Sequence, residues 1–329
     1  MMGGLHIEMA AWKTFGDWLE NCGWTPLLVD ANSCTSGKAD SFLKTSHVSR
    51  TRYVHQVTTC CLFILMHKAY QEFCQSLSDN DIRLSFEEWR SNKAAASPHF
   101  KFWVITLDLE LCILNYLQSL RQGNFKLYIN SLIKIAPWFF ALDHHHYARW
   151  LPVHIRDMVA LQNACPAVAH EFENGHFVVK KSVRAFSKIP LDHAHEQNNK
   201  SVKGDGGAIG LTENSAELLR WMVSGPELSR MINEFETSQN FVSVAEDNAD
   251  KKHHEDSPAV QRKFIKDVRS VCAELESKGN PFLEDSKDIL NVDTKEIMGN
   301  DLVNTAISRV CRKPPGKKNC FTLRNHQEE

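Results

Sequence analysis

The chain has 329 residues, 43% of them apolar and 24% charged, with a net charge of −2. That length accommodates one large domain or two modest ones, and so balanced a charge excludes both a global basic field for nucleic acid and an acidic tail. The ten cysteines are scattered with no CxxC spacing, which argues for reduced intracellular thiols, several of them buried, and against a structural zinc site built from cysteine.

Taken in chain order, "GGLHIEM" at residues 3–9 reads as a strand or a strand-to-helix junction. From about Met9 to Cys22, Trp12, Phe15, Trp18 and Leu19 fall at helical spacing. The opening "MMGGLHIEMA" lacks the basic start and apolar run of a secretory signal. The longest apolar run, Cys60 to Met66, is far short of the roughly 20 residues a membrane span needs. An intracellular protein of nucleus or cytoplasm, not bound to membrane, is expected. "TPLLVDANSCTSGKAD" reads as a short extended piece and a loop, and a long helix is predicted over about Ser49–Ser78.

Ser85 and Glu88 make a capping box for the next helix. Phe100–Gln122 is apolar on most sides, as a buried helix would be, with Gly123 as its break and Pro137 starting a new turn further on. "YARWLPVHIRDMVAL" is amphipathic, and "HFVVKK", His176 to Lys181, is the best strand candidate. Thr212 opens one capped helix and "GPELSRMINEFE" a second, with Pro226 at its first helical position. Ser257, Pro258 and Gly279 bracket a further helix, and the chain ends in a polar helix and the basic tail "RKPPGKK".

The fold class is therefore mainly α with a small β component. The domain organisation reads as a core over residues 1–240, a polar linker over 241–257, and a helical C-terminal segment with a basic tail over 258–329.

Chemistry concentrates in "FSKIPLDHAHEQNNKSVKGDGGAIGLTEN", Phe186 to Asn214. On a helix, Asp192, His195, Glu196, Asn199 and Lys203 share one face. Such a face can hold magnesium through its carboxylates, with Lys200 and Lys203 along a phosphate backbone. It can equally be a solvated polar helix whose acids and bases pair weakly. On a strand, His193 and His195 would instead face one way, as in metal-dependent hydrolases. "GDGGAIG" fits neither a dinucleotide nor a Walker loop and reads as a turn. Three consecutive histidines in "LDHHHYARW" cannot all reach one metal from a regular helix. Asp108 and Glu110 interrupt an apolar segment, where a carboxylate needs a partner or a metal. Asp108 is accordingly a secondary metal candidate, or else pairs with an arginine such as Arg121.

"GGLHIEMAAWKTFGDWLENCGWT", "RTRYVHQVT", "GNFKLYINSLIKIAPWFFALDHHHYARWLPVHIRDM", "GHFVVKKSVRAFSKIPLDHAHEQNNKSVKGDGGAIGLTEN" and "GPELSRMINEFE" resemble a multicopy set of uncharacterised invertebrate proteins, a pattern that implies a transposable-element origin. The spacing of Asp192, Glu196, Asn199 and Lys203 is similar to element-derived proteins with a ribonuclease-H-like, DDE-type transposase core. That resemblance implies a sheet with a large helical insertion, DNA as partner, Mg2+ as cofactor and cleavage or joining of DNA strands. Asp192 and Glu196 would hold the metal with Asp108. His195 would stand beside them in the catalytic set, and Asn199, Lys200 and Lys203 would contact nucleic acid. Members of the family usually carry more chain before "GGLHIEM", including an early aspartate. The resemblance thus implies a truncated and catalytically inactive form. The competing expectations are a helical protein-interaction module without catalysis and an HxH metal-dependent hydrolase.

Overall fold

A computed structural model describes residues 2–78, 83–182, 185–202, 215–238, 257–298 and 301–311. The helices in chain order are α1 (Gly4–Leu19), α2 (Trp24–Asp30), α3 (Ser36–Leu43), α4 (Val48–Ser76), α5 (Phe86–Ala96), α6 (Pro98–Gln122), α7 (Phe125–Ala141) and α8 (His145–Val159). Two short helices follow, α9 (Leu161–Ala164) and α10 (Pro166–Glu173), and then strands β1 (Val179–Lys180) and β2 (Lys188–Ile189). The last four helices are α11 (Leu191–Val202), α12 (Ser215–Ser238), α13 (Pro258–Ser277) and α14 (Asp301–Cys311).

The fold is mainly helical with a small β component, as the sequence predicts. β1 and β2 form one antiparallel ribbon, Val179 opposite Ile189 and Lys180 opposite Lys188. Apart from one isolated bridge, Leu290 to Ile297, the described residues hold no other β structure, and no ribonuclease-H-like sheet. No helix among the described residues is long and apolar enough to cross a membrane.

Helix α6 is the axis of the core. It is buried along nearly its whole length, through Phe100, Phe102, Trp103, Leu107, Ile113, Tyr116 and Leu120. Around it pack α1, α4, α5 and α7. Local signals set its ends. The Ser97 hydroxyl accepts from the Phe100 amide at 3.2 Å with Pro98 in the first turn, and Gly123 closes it at φ 71°. Asn124 then caps α7, its Oδ1 accepting from Leu127 N at 2.9 Å, so that α6 and α7 fold back on one another. The capping box at the start of α5 is present, with both Ser85 and Glu88 engaged.

Several local expectations are revised. The 24–43 stretch is two short helices, not an extended piece and loop: Trp24, Leu27 and Leu28 are buried, and Trp24 Nε1 donates to Thr58 at 3.0 Å. Seven residues are too few for a periodic signal, and Pro26 sits in the first turn, where a missing N–H breaks no helical bond. Pro137, Pro152 and Pro226 lie inside α7, α8 and α12, so the helices on either side of Pro137 and Pro226 are continuous. The "HFVVKK" strand shrinks to two residues.

Beyond the proposed linker, of which residues 241–256 lie outside the described residues, α13 packs along α4 and against α2. Its Val268, Val271, Cys272 and Leu275 join the same core as α1 and α6. The segment that follows is stitched to the N-terminal helices. Val292 N donates to Cys22 O at 2.9 Å, Asn291 Nδ2 donates to Asn21 O at 2.8 Å, and Lys278 bridges Asp30 and Asp293. Helix α14 packs on α7.

Candidate functional site

Helix α11 leaves the β ribbon at Pro190, and the second residue of the helix is Asp192. Its carboxylate does not face solvent with Glu196. One oxygen, Oδ1, accepts the Leu5 amide hydrogen at 3.0 Å; the other, Oδ2, accepts from His6 N at 3.1 Å and lies 2.9 Å from His6 Nδ1. These amides belong to the first turn of α1, which lacks a side-chain cap of its own at Gly3. A free helix N-terminus attracts negative charge through its unpaired N–H groups, and Asp192 supplies that charge from a distant helix.

The pair of glycines makes the approach feasible. A Cβ on Gly3 would fall 2.3 Å from Asp192 Oδ2, and one on Gly4 would fall 2.9 Å from Pro190 Cβ. This arrangement explains why "GGLHIEM" is helical from Gly4 onward rather than a strand junction. Burial on its own would raise the Asp192 carboxyl, but the hydrogen bonds from Leu5 and His6 outweigh it and hold the group below its ordinary range.

Beside this junction lies a cleft of about 540 Å³, lined by Leu120, Tyr128, Phe177, Val178, Pro190 and Leu191 together with His6, Asp192 and His195. Tyr128, on its wall, is hydrogen-bonded to His154 Nε2 at 2.9 Å. Burial pushes His154 down to about 4, so at neutral pH its ring is uncharged.

The other sequence-predicted residues are placed as follows. His195 is exposed at the rim of the cleft, whereas His193 has its Nδ1 buried and its Nε2 3.1 Å from Gln197 Nε2. The two histidines of the HxH therefore diverge, because residues two apart on a helix do not share a face. Glu196 is exposed and makes no hydrogen bond or ion pair to another described residue. Asn199 is half-buried on α11, Lys200 lies in the same helix, and Lys203 lies outside the described residues, as does the glycine run 204–210.

Asp108 sits on α6, paired with Arg90 at 2.5 Å, and lines a different cleft with Lys134 and Trp138. Asp143 pairs with Arg309 at 3.0 Å, and Glu8 is buried against Arg52. Asp192, Glu196 and Asp108 are thus held by separate surroundings, and among the described residues no three His, Cys, Asp or Glu side chains are grouped to hold a metal ion. Of the three consecutive histidines, His144 lies 2.7 Å from Asp17 and precedes α8, while His145 and His146 line a shallow cleft with His6 and Lys13.

Two buried polar clusters connect the helices. In one, Glu8 accepts from Arg52 in a two-pronged contact, with Nη2 to Oε2 at 2.5 Å, and from Trp12 Nε1 at 3.3 Å. In the other, His55 Nδ1 lies 3.0 Å from Glu110 Oε1, and Thr59 Oγ1 is 3.0 Å from Glu110 Oε2. The His55 ring is sandwiched between Trp12, with centroids 4.4 Å apart, and Trp24, at 4.8 Å. Burial pushes His55 down to about 3 and raises the Glu110 carboxyl well above its usual range, with the Thr59 hydrogen bond acting against that rise. The two groups share a hydrogen bond along the Nδ1 to Oε1 axis. Glu110, in an apolar run, signalled a buried partner in the sequence; that the partner would be His55 was not readable from spacing.

The sequence profile of a family described as "Domain of unknown function (DUF8702)" matches residues 65–313. The chain belongs to this family. No curated protein and no solved structure matches it. The DUF8702 region contains α11, the β ribbon and most of the cleft wall. Leu5 and His6, which complete the Asp192 site, come from α1 outside the matched stretch.

Proposed function

We propose that this DUF8702 protein is a helical binding module whose recognition site is the cleft between α1 and α11. The ligand or partner segment would present an apolar group beside a hydrogen-bonding head. The observation that supports this most is the composition of the cleft. About 540 Å³, floored by apolar side chains and rimmed by His6, Asp192 and His195, falls within the usual range of roughly 300–1,000 Å³ for ligand sites.

The same residues bear on the transposase-type reading, in which Asp192 and Glu196 share Mg2+ over DNA. Both oxygens of Asp192 already accept hydrogen bonds from the N-terminal turn of α1. A metal would have to displace those donors, which favours binding over metal-assisted strand cleavage.

The test is ligand-observed NMR with a library of small aromatic and aliphatic fragments on the purified chain, alongside Mg2+ titration and a plasmid-cleavage assay. Fragments should bind the wild type and be lost in Leu191→Asp, which alters an exposed rim residue and leaves the core alone. Magnesium-dependent cleavage abolished by Glu196→Gln would overturn the proposal in favour of the metal reading.

A further inference from the structure

The histidine run of "LDHHHYARW" stands where α7 turns into α8, beside a cleft of about 370 Å³ that shares only His6 with the cleft between α1 and α11. Three elements build it. Helix α1 presents Lys13 on the face that also carries His6, Met9 and Ala10, because residues three and four apart are neighbours on a helix. The end of α3 brings Lys44 and Thr45 against α1. Gly16 permits that approach, since a Cβ there would overlap the Leu43 carbonyl oxygen. The start of α8 contributes His145, His146 and Tyr147.

Among the described residues no Asp or Glu lines this cleft. His144 and His6 already have acid partners, Asp17 at 2.7 Å and Asp192 at 2.9 Å. Lys13, Lys44, His145 and His146 make no ion pair to another described residue. Helix α8 adds the positive end of its dipole: its N-cap, His144, makes no capping hydrogen bond, and no acid stands in its first turn. Thr45 is the decisive residue. It is 4% exposed, and its hydroxyl oxygen is buried with no hydrogen-bond partner among the described residues. It also closes α3 at φ 54°, with Thr45 N donating to Phe42 O and Ser46 N to Ser41 O, both at 3.1 Å. That closing position ordinarily falls to glycine. A β-branched residue there combines backbone strain with an unsatisfied oxygen, and a ligand held by the hydroxyl would offset both.

We propose that this cleft binds the dianionic phosphoryl group of a small phosphomonoester. Lys13 and Lys44 supply charge from α1 and α3, the uncapped start of α8 supplies it from the third side, and the Thr45 hydroxyl donates to a phosphoryl oxygen. A carboxylate would offer two oxygens in one plane. A tetrahedral phosphoryl group offers three, one toward each element. Met9, Ala10 and Tyr147 form an apolar margin for the organic remainder of the ligand.

The experiment is a phosphorus NMR titration of the purified full-length chain at constant ionic strength, with inorganic phosphate, phenyl phosphate and dimethyl phosphate as probes. Phenyl phosphate should bind saturably and at least as tightly as inorganic phosphate, and the monoanionic diester at least about tenfold more weakly. Lys13→Ala and Lys44→Ala, both at exposed positions, should each weaken phenyl phosphate binding about tenfold. Thr45→Val should weaken it about tenfold as well, yet leave the Tm of the unliganded chain unchanged or higher, because it removes a buried hydroxyl that has no partner. Thr45→Ser keeps the hydroxyl and should bind within about threefold of the wild type. Any of five outcomes sinks the assignment: no saturable phenyl phosphate binding in the millimolar range, binding of inorganic phosphate alone, equal affinity for dimethyl phosphate (the mark of a nucleic-acid backbone contact), wild-type affinity in the lysine or Thr45→Val variants, or a lowered Tm in unliganded Thr45→Val, which would give the hydroxyl to the fold.

Discussion

Asp192 and Leu5, separated by 187 positions in the chain, are joined by a carboxylate-to-amide hydrogen bond of 3.0 Å. A helix that opens on two glycines has no cap of its own, and one acid from α11 supplies it. The acid that the sequence most readily assigns to a metal is, in the fold, the anchor of the first helix.

Asp192→Ala should therefore destabilise the protein by about 1–2 kcal/mol, the usual effect of removing a helix cap, and Asp192→Asn should recover part of that loss. Gly3→Ala, whose new methyl would collide with Oδ2, should cost a similar amount. Urea denaturation of the double variant should show the two losses failing to add, because both remove one contact.

The same carboxyl carries a pH signature. Its folded value lies below its unfolded one, so its contribution is complete above the unfolded value of about 4 and is lost as pH falls through the folded value. The acid limb of a stability–pH curve should be shallower in Asp192→Asn than in the wild type.

His55 gives a second, separable limb. Its folded value is pushed down to about 3 from an unfolded value near 6.5, so the unfolded chain binds the extra proton in that window. Its contribution is whole above about pH 6.5 and declines as pH drops toward the folded value, by at most about 1.4 kcal/mol per pH unit. Glu110, raised by burial, acts in the opposite sense: it stabilises below its unfolded value and that contribution is lost as pH rises through its folded value. His55→Ala or Glu110→Ala should cost about 3–5 kcal/mol by stranding a buried partner, and Glu110→Gln much less, since the amide can still bond both His55 and Thr59. Denaturation midpoints across pH 4–8 check all three.

Arg52 and Glu8 form the neighbouring buried pair. Arg52→Met leaves the Glu8 carboxylate, which is wholly buried, without its cation and should cost about 3–5 kcal/mol. Arg52→Lys keeps the charge but loses the planar fork, and should fall between the two in urea.

Glu196 supplies the contrast. It is exposed and makes no hydrogen bond or ion pair to another described residue, so Glu196→Gln should leave the urea midpoint unchanged, and millimolar Mg2+ should shift the Tm of neither form.

The sequence by itself determined what is local. A wide apolar face marked α4 and a long run apolar on most sides marked α6, the Ser85 and Ser257 caps marked helix starts, and Gly123 and Gly279 marked helix ends, because propensity, caps and positive φ act within a few residues. For residues 191–202 it left a helix and an HxH strand open; the structure makes them a helix, α11. Only the tertiary structure decided what those side chains meet. The α1 cap comes from α11, and the partner of Glu110 comes from α4. The same one-turn spacing fits a metal site or a helix anchor equally well. Which it becomes depends on whether the nearest opposite charge is an ion or an unpaired backbone N–H brought up by packing.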